Sequence, residues 1–138
     1  MQLDMIGKNL PALFAALLVS ILFIQSGLDK AFDWRGNLEW LTGHFSKTIF
    51  ARMVPPMLAT ITIMELAAGF LSLAGLIYFF ASGSLVLIFY ASIIGAAAIT
   101  ALFFGQRVAK DYAGAAVLVP YFILLVLIMY LSRGGGSI

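Results

Sequence analysis

Between Leu10 and Leu28 the chain carries no charged residue, and only Ser20, Gln25 and Ser26 interrupt the apolar run. A second uncharged stretch extends from Met53 to Gln106 with one exception, Glu65. At about 1.5 Å per helical residue, that stretch is too long for one crossing of a hydrocarbon core, so it has to turn. The turn is expected between Leu76 and Ser84, where Ala81-Ser82-Gly83-Ser84 supplies loop chemistry. A last run covers residues 113–131 and contains Pro120, which frees a backbone carbonyl and predicts a kink. The pattern therefore predicts spans at about 10–28, 56–76, 84–104 and 113–131. Runs this continuous lack the alternation of a barrel strand, and helices are the other way to satisfy backbone groups in lipid. The expected fold is all-α, a four-transmembrane-helix bundle forming a single integral membrane domain.

The segment joining the first two spans has a different pattern. Trp34, Leu38, Leu41 and Phe45 recur at intervals of four, three and four, one face of a helix, with Arg35, Asn37 and Glu39 elsewhere. An amphipathic segment bearing Trp34 and Trp40 is expected to lie at the headgroup level as an interfacial anchor, or to fold back as a lid over the bundle.

Composition narrows the function classes. Of the 138 residues 63% are hydrophobic and 10% charged, against about 25% charged in an ordinary soluble domain. So few charges cannot coat a water-soluble enzyme, and neither a disordered chain nor a nucleic-acid binder fits. The lipid bilayer is the first partner, and a net charge of +2 gives no reason to invoke a polyanion. Lys30, Arg35, Lys47, Arg52, Arg107 and Lys110 fall on one side of the membrane, Lys8 and Arg133 on the other. By the positive-inside rule loops 29–55 and 105–112 are expected in the cytoplasm and both termini outside. Lys8 ahead of the first run has the outline of a signal peptide, but the run is long and Ile24-Gln25-Ser26 is a poor cleavage site, so it is expected to be kept as a span. Residues 133–138 have a linker's composition and are expected as a flexible tail. There is no cysteine and one histidine, His44, which excludes thiolate metal sites, iron–sulfur clusters and a bis-histidine haem within one chain.

Glu65 is the residue that most needs a reason. An ionised carboxylate well inside a span costs at least about 2.5 kcal/mol, so it has to be protonated, paired or facing a watery cavity. Leu58, Thr62, Glu65, Gly69, Ser72 and Leu76 follow one another along one helical face, a small and polar stripe that is expected to face protein. Either Glu65 is a structural hydrogen-bonding group between helices, or it is a proton acceptor or ligand group in a pocket. Lys30 closes the first span on the side where the second begins. Taken alone it reads as a snorkelling anchor; taken with Glu65, as half of a buried pair. If they pair, losing one strands the other at a cost of about 3–5 kcal/mol. Gln25 and Ser26, about a turn before Lys30, are expected to complete a polar pocket with Thr62 and Glu65. His44 is either an interfacial polar group or a hydrogen-bonding group for a ligand. Asp111 reads as the cap of the fourth helix. Gly95 to Ala98 and Ala113 to Ala116 read as close helix packing, within the bundle or in a homodimer.

Gly27-Leu28-Asp29-Lys30 closing the first span, Glu65-Leu66-Ala67-Ala68-Gly69 in the second and Gly75-Leu76 after it resemble the DoxX family of small four-helix membrane proteins. The motifs cover the first 76 residues; beyond them the likeness is one of length, hydropathy and helix count. The resemblance implies a bacterial cytoplasmic membrane and points to Gly27, Lys30, Glu65 and Gly69. Some members of that family are subunits of thiosulfate:quinone oxidoreductase or are linked to quinol oxidases. This chain has no haem, iron–sulfur or nucleotide motif, so electrons would have to come from a redox partner protein or a bound quinone. Three readings stay open. The chain is a quinone-linked subunit in which Gln25, Lys30, Glu65 and His44 serve the quinone, or a small-solute transporter, or a scaffold in which Lys30 and Glu65 only lock helices.

Overall fold

The structure is a computed structural model describing residues 3–134, so positions 135–138 of the expected tail lie outside the described residues. The described residues fold into six helices: α1 (Leu3–Lys8), α2 (Leu10–Phe32), α3 (Trp34–His44), α4 (Val54–Ser82), α5 (Val86–Val108) and α6 (Tyr112–Ser132). Four of them, α2, α4, α5 and α6, are long and apolar enough to cross a membrane. The protein is thus an all-helical integral membrane protein.

The helices pack in chain order, α2 on α4, α4 on α5 and α5 on α6, with a smaller contact from α6 back to α2. The seam between α2 and α4 is close because its residues are small. A Cβ on Gly69 would stand 2.7 Å from the backbone nitrogen of Ile24, and one on Gly27 would stand 2.6 Å from the Leu66 side chain. Lipid tails are as apolar as leucine, so such seams depend on close packing and interhelical hydrogen bonds. Here Ser72 on α4 donates to the carbonyl of Ala16 on α2 at 2.8 Å. At the centre, Phe23 and Leu125 both fill the space left by Gly95 on α5, where a Cβ would meet their side chains at 2.9 and 2.8 Å.

Boundaries depart from the sequence expectation where local stop signals are weak. The second span continues past Leu76 to Ser82, because Ile77 to Phe80 are apolar and helix-compatible. It stops only where Gly83 takes the left-handed conformation at φ 78° and its N–H bonds the carbonyl of Phe79. The third and fourth spans begin and end within a few residues of expectation, at Val86–Val108 and Tyr112–Ser132. Pro120 sits inside an unbroken α6, and Asp111 caps that helix by accepting from the Gly114 N–H at 3.0 Å. The short helix α1 lies ahead of the first span, folded so that Met5 meets the turn at Gly83. Residues 34–44 are helical, as the periodicity requires, and start directly from the end of α2 at Asp33.

Candidate functional site

The Glu65 face of α4 points at α2, and the pair forms within the close α2–α4 seam. Lys30 Nζ lies 2.9 Å from Glu65 Oε1, with the Glu65 side chain only 4% exposed and that of Lys30 18%. Ser26 stands between them: Lys30 Nζ donates to its Oγ at 2.8 Å, and the hydroxyl donates to Glu65 Oε2 at 2.8 Å. The directions are fixed by the donor inventory. An ammonium has only hydrogens to give, so the Ser26 oxygen accepts from it and the single Ser26 hydrogen goes to the carboxylate. Lys30, Ser26 and Glu65 form a continuous hydrogen-bonded path. Glu65 Oε1 is held differently: the ammonium is close, yet Oε1 accepts no hydrogen bond of proper geometry. Its contact with Lys30 is electrostatic, and the distance makes it a strong one.

Helix geometry decides which sequence candidates join this pair. Ser26 and Lys30 are four residues apart and share a face of α2. Gln25 is about 100° of helical rotation away from Ser26. It is exposed on the outside of the bundle and does not join the pocket expected for it. Thr62 is buried on the Glu65 face of α4, but its hydroxyl donates to the Leu58 carbonyl at 2.7 Å in its own helix. Gly27 and Gly69 lie in the α2–α4 seam next to the pair and let the backbones approach.

His44 lies elsewhere, at the end of α3. Its Nε2 is 2.8 Å from Gln106 Oε1 and 3.8 Å from Asp111 Oδ2, and its ring stacks on Trp40 at 4.6 Å. It ties the end of α3 to the end of α5 and the start of α6. Gly114 makes this junction possible: a Cβ there would stand 2.6 Å from Asp111 Oδ2 and 2.8 Å from Gln106 Nε2.

Between the pair and this junction lies a cavity of about 270 Å³. Lys30 lines one side; Asn37, Trp40 and Leu41 of α3 line another; Gln106 and Leu102 of α5 line a third. Residues of α3 thus form part of the wall of the space beside Lys30. Of the expected stripe, Leu41 and Phe45 line the cavity; Trp34 and Leu38 are half-buried beside it, and Asn37 and the exposed Trp40 join the lining. Residues of both charged loops meet here, which puts those loops at one end of the bundle. Next to the cavity an apolar groove of about 370 Å³ runs along α4 and α5, and the two share Met57, Ile61, Ala101 and Gly105 as walls.

Sequence reasoning missed Asn37 and Gln106 as cavity residues. Gln106 offered one signal: it is the polar residue that closes the third apolar run, at the end where Lys30 closes the first. Among the described residues no group of three or more His, Asp or Glu side chains is placed to hold a metal ion. No protein-family model matches the chain, and neither a curated protein nor a solved structure does.

Proposed function

We propose that the chain is a quinone-linked subunit of a membrane redox assembly, in which Lys30 holds the ligand's carbonyl head and Glu65 holds Lys30. The observation that carries the reading is the position of the Lys30 ammonium. It is fixed by Ser26 and a buried carboxylate, and Lys30 is among the residues that line the cavity. An ammonium has three hydrogens. One goes to Ser26, one side faces Glu65, and a third partner can be an oxygen in the cavity. Because Glu65 offsets the charge of Lys30, the site suits a neutral oxygen acceptor better than a free anion.

The residues fit such a group. The head would lie among Lys30, Asn37, Trp40 and Gln106, with Leu41, Leu58, Ile61 and Leu102 as apolar walls. A quinone, when bound, supplies two-electron, two-proton redox chemistry. The Lys30–Ser26–Glu65 path holds protons next to the head and gives a route between a cavity-facing group and a buried one. The chain has no cysteine, so a partner protein is the source of electrons. The order of Gly27, Lys30, Glu65 and Gly69 supports the same reading through its resemblance to the DoxX family. With the basic loops at the cavity end, the positive-inside rule turns that end to the cytoplasm.

A scaffold reading has one observation in its favour: the pair lies in a close helix seam, next to Gly27 and Gly69. Purification of wild type and Glu65→Gln in nanodiscs, with extraction, mass spectrometry and redox difference spectra, separates the two. Near-stoichiometric quinone in wild type, lost from a folded Glu65→Gln, is the expected result. If neither protein carries quinone and the variant melts earlier, the pair is a lock and the redox reading falls.

A further inference from the structure

The groove beside the cavity has a shape and a chemistry of its own. Its floor is Met57, Ile61, Ala101 and Gly105, the same residues that wall the Lys30 cavity. Beyond them it continues over Met53, Pro56, Thr60 and Phe104, on the outer side of α4 and α5. Met53, Pro56, Thr60, Ala101 and Phe104 are all exposed, and this outer side is the one that meets lipid in a bundle of spanning helices. The single polar side chain in the groove, Thr60, already donates to the Pro56 carbonyl at 2.8 Å. The groove thus offers a hydrocarbon chain what lipid offers it, plus a fixed wall, and it abuts the cavity that Lys30 lines.

We infer that this groove seats the hydrocarbon chain of the ligand whose head lies at Lys30, so that the ligand is a long-chain carbonyl amphiphile entering sideways from the bilayer between α4 and α5. The inference rests on the quinone reading for the head and adds the tail and the route. Continuity carries it. A polar cavity and an apolar groove meeting across four shared residues match a head and a tail joined by one bond. A water-borne ligand would have no use for the groove.

Thr60 tests the tail separately from the head, because it lines the groove and not the cavity. In a Trp34→Phe background Trp40 is the one remaining tryptophan, and it lines the head cavity. Its fluorescence in nanodiscs is titrated with dimethoxymethylbenzoquinone, which has no tail, and with the decyl derivative, both expressed as mole fraction of lipid. In the parent protein the decyl compound is expected to half-quench at a fraction about two- to three-fold lower, since lipid already solvates the tail and only its packing against the fixed groove wall adds to binding. Thr60→Phe, which fills the groove, is expected to abolish that gain and leave the tail-less compound unchanged; Thr60→Ala is expected to keep it. Equal half-quenching by the two compounds in the parent, or a gain that survives Thr60→Phe, overturns the groove and leaves the quinone head reading standing. If neither compound gives saturable quenching in the parent, the head reading fails and the tail falls with it.

Discussion

At the end of the bundle where α4 turns into α5, the space left open is wholly apolar, a groove of about 280 Å³ lined by Ile6, Leu13, Leu17, Leu76 and Phe80. Phe79, Leu85 and Ile88 are buried, Met5 of α1 closes over Gly83, and Gly75 brings α4 against the backbone of α5. At the opposite end the same helices carry Lys30, Glu65 and Gln106, and there they part around a cavity that α3 helps to wall. Both ends are cut from apolar helices of similar composition, so hydrophobicity does not separate them. The difference lies in what each end asks of its neighbours. Small residues let backbones meet and need nothing more. The charged pair sits beside Gly27 in a close seam, and the space opens past it, where Lys30, Asn37, Trp40 and Gln106 stand around the cavity. The open end thus follows from where the polar residues sit, and it is the end with chemistry available.

The largest effect comes from breaking the pair. Lys30→Met leaves the Glu65 carboxylate buried without its cation, an error worth about 3–5 kcal/mol of stability. Glu65→Leu is expected to cost less, because Lys30 is more exposed and its stem can swing its ammonium to water. The double variant Lys30→Met/Glu65→Leu is expected to recover most of the loss, since an apolar pair can replace an ionic one in a dry seam. Melting in mild detergent measures all three. A Lys30→Met protein as stable as wild type would mean that the ion pair contributes nothing to the open end.

Next in size is a test of packing at the two ends with one kind of substitution. A Cβ on Gly75 would stand 2.8 Å from the backbone nitrogen of Ile88, so Gly75→Ala forces two helices apart and is expected to cost about 1–3 kcal/mol. A Cβ on Gly105, at the cavity, would meet only the Phe45 ring at 3.4 Å. Gly105→Ala is therefore expected to be neutral or to gain up to about 1 kcal/mol from helix propensity. Equal losses at both positions would show that the cavity end is packed as tightly as the other.

The spans could be read from the sequence because each is a long uncharged run, and lipid leaves such a run few alternatives. The end of α4 could not, since Ile77 to Phe80 carry no stop signal and the break waits for the φ of a single glycine. Helix α1 has six residues, too few for a periodicity to register. Within the site, Lys30 and Glu65 were legible because a charge in a span is expensive wherever it sits. Asn37 and Gln106 were not, because a cavity wall assembled from α3 and α5 depends on how the end of α3 docks. That docking rests on His44 meeting Gln106, a contact 62 positions apart in the chain.

Gln25 tests the limits of that reading, with the smallest effect. A polar residue one position before Ser26 looks like part of the same cluster when read along the chain. Around the helix it is not: Ser26 and Lys30 lie together on the α4 side, and Gln25 is turned out of the bundle. With no protein partner to lose, Gln25→Leu is expected to change stability by no more than about 0.5 kcal/mol. It is also expected to leave quinone content as in wild type. A loss of quinone in a fully stable Gln25→Leu protein would mean that α2 rotates in the bilayer to bring Gln25 toward the pair. In that case Ser26 would leave the path, and the open end would be arranged around a different face of the helix.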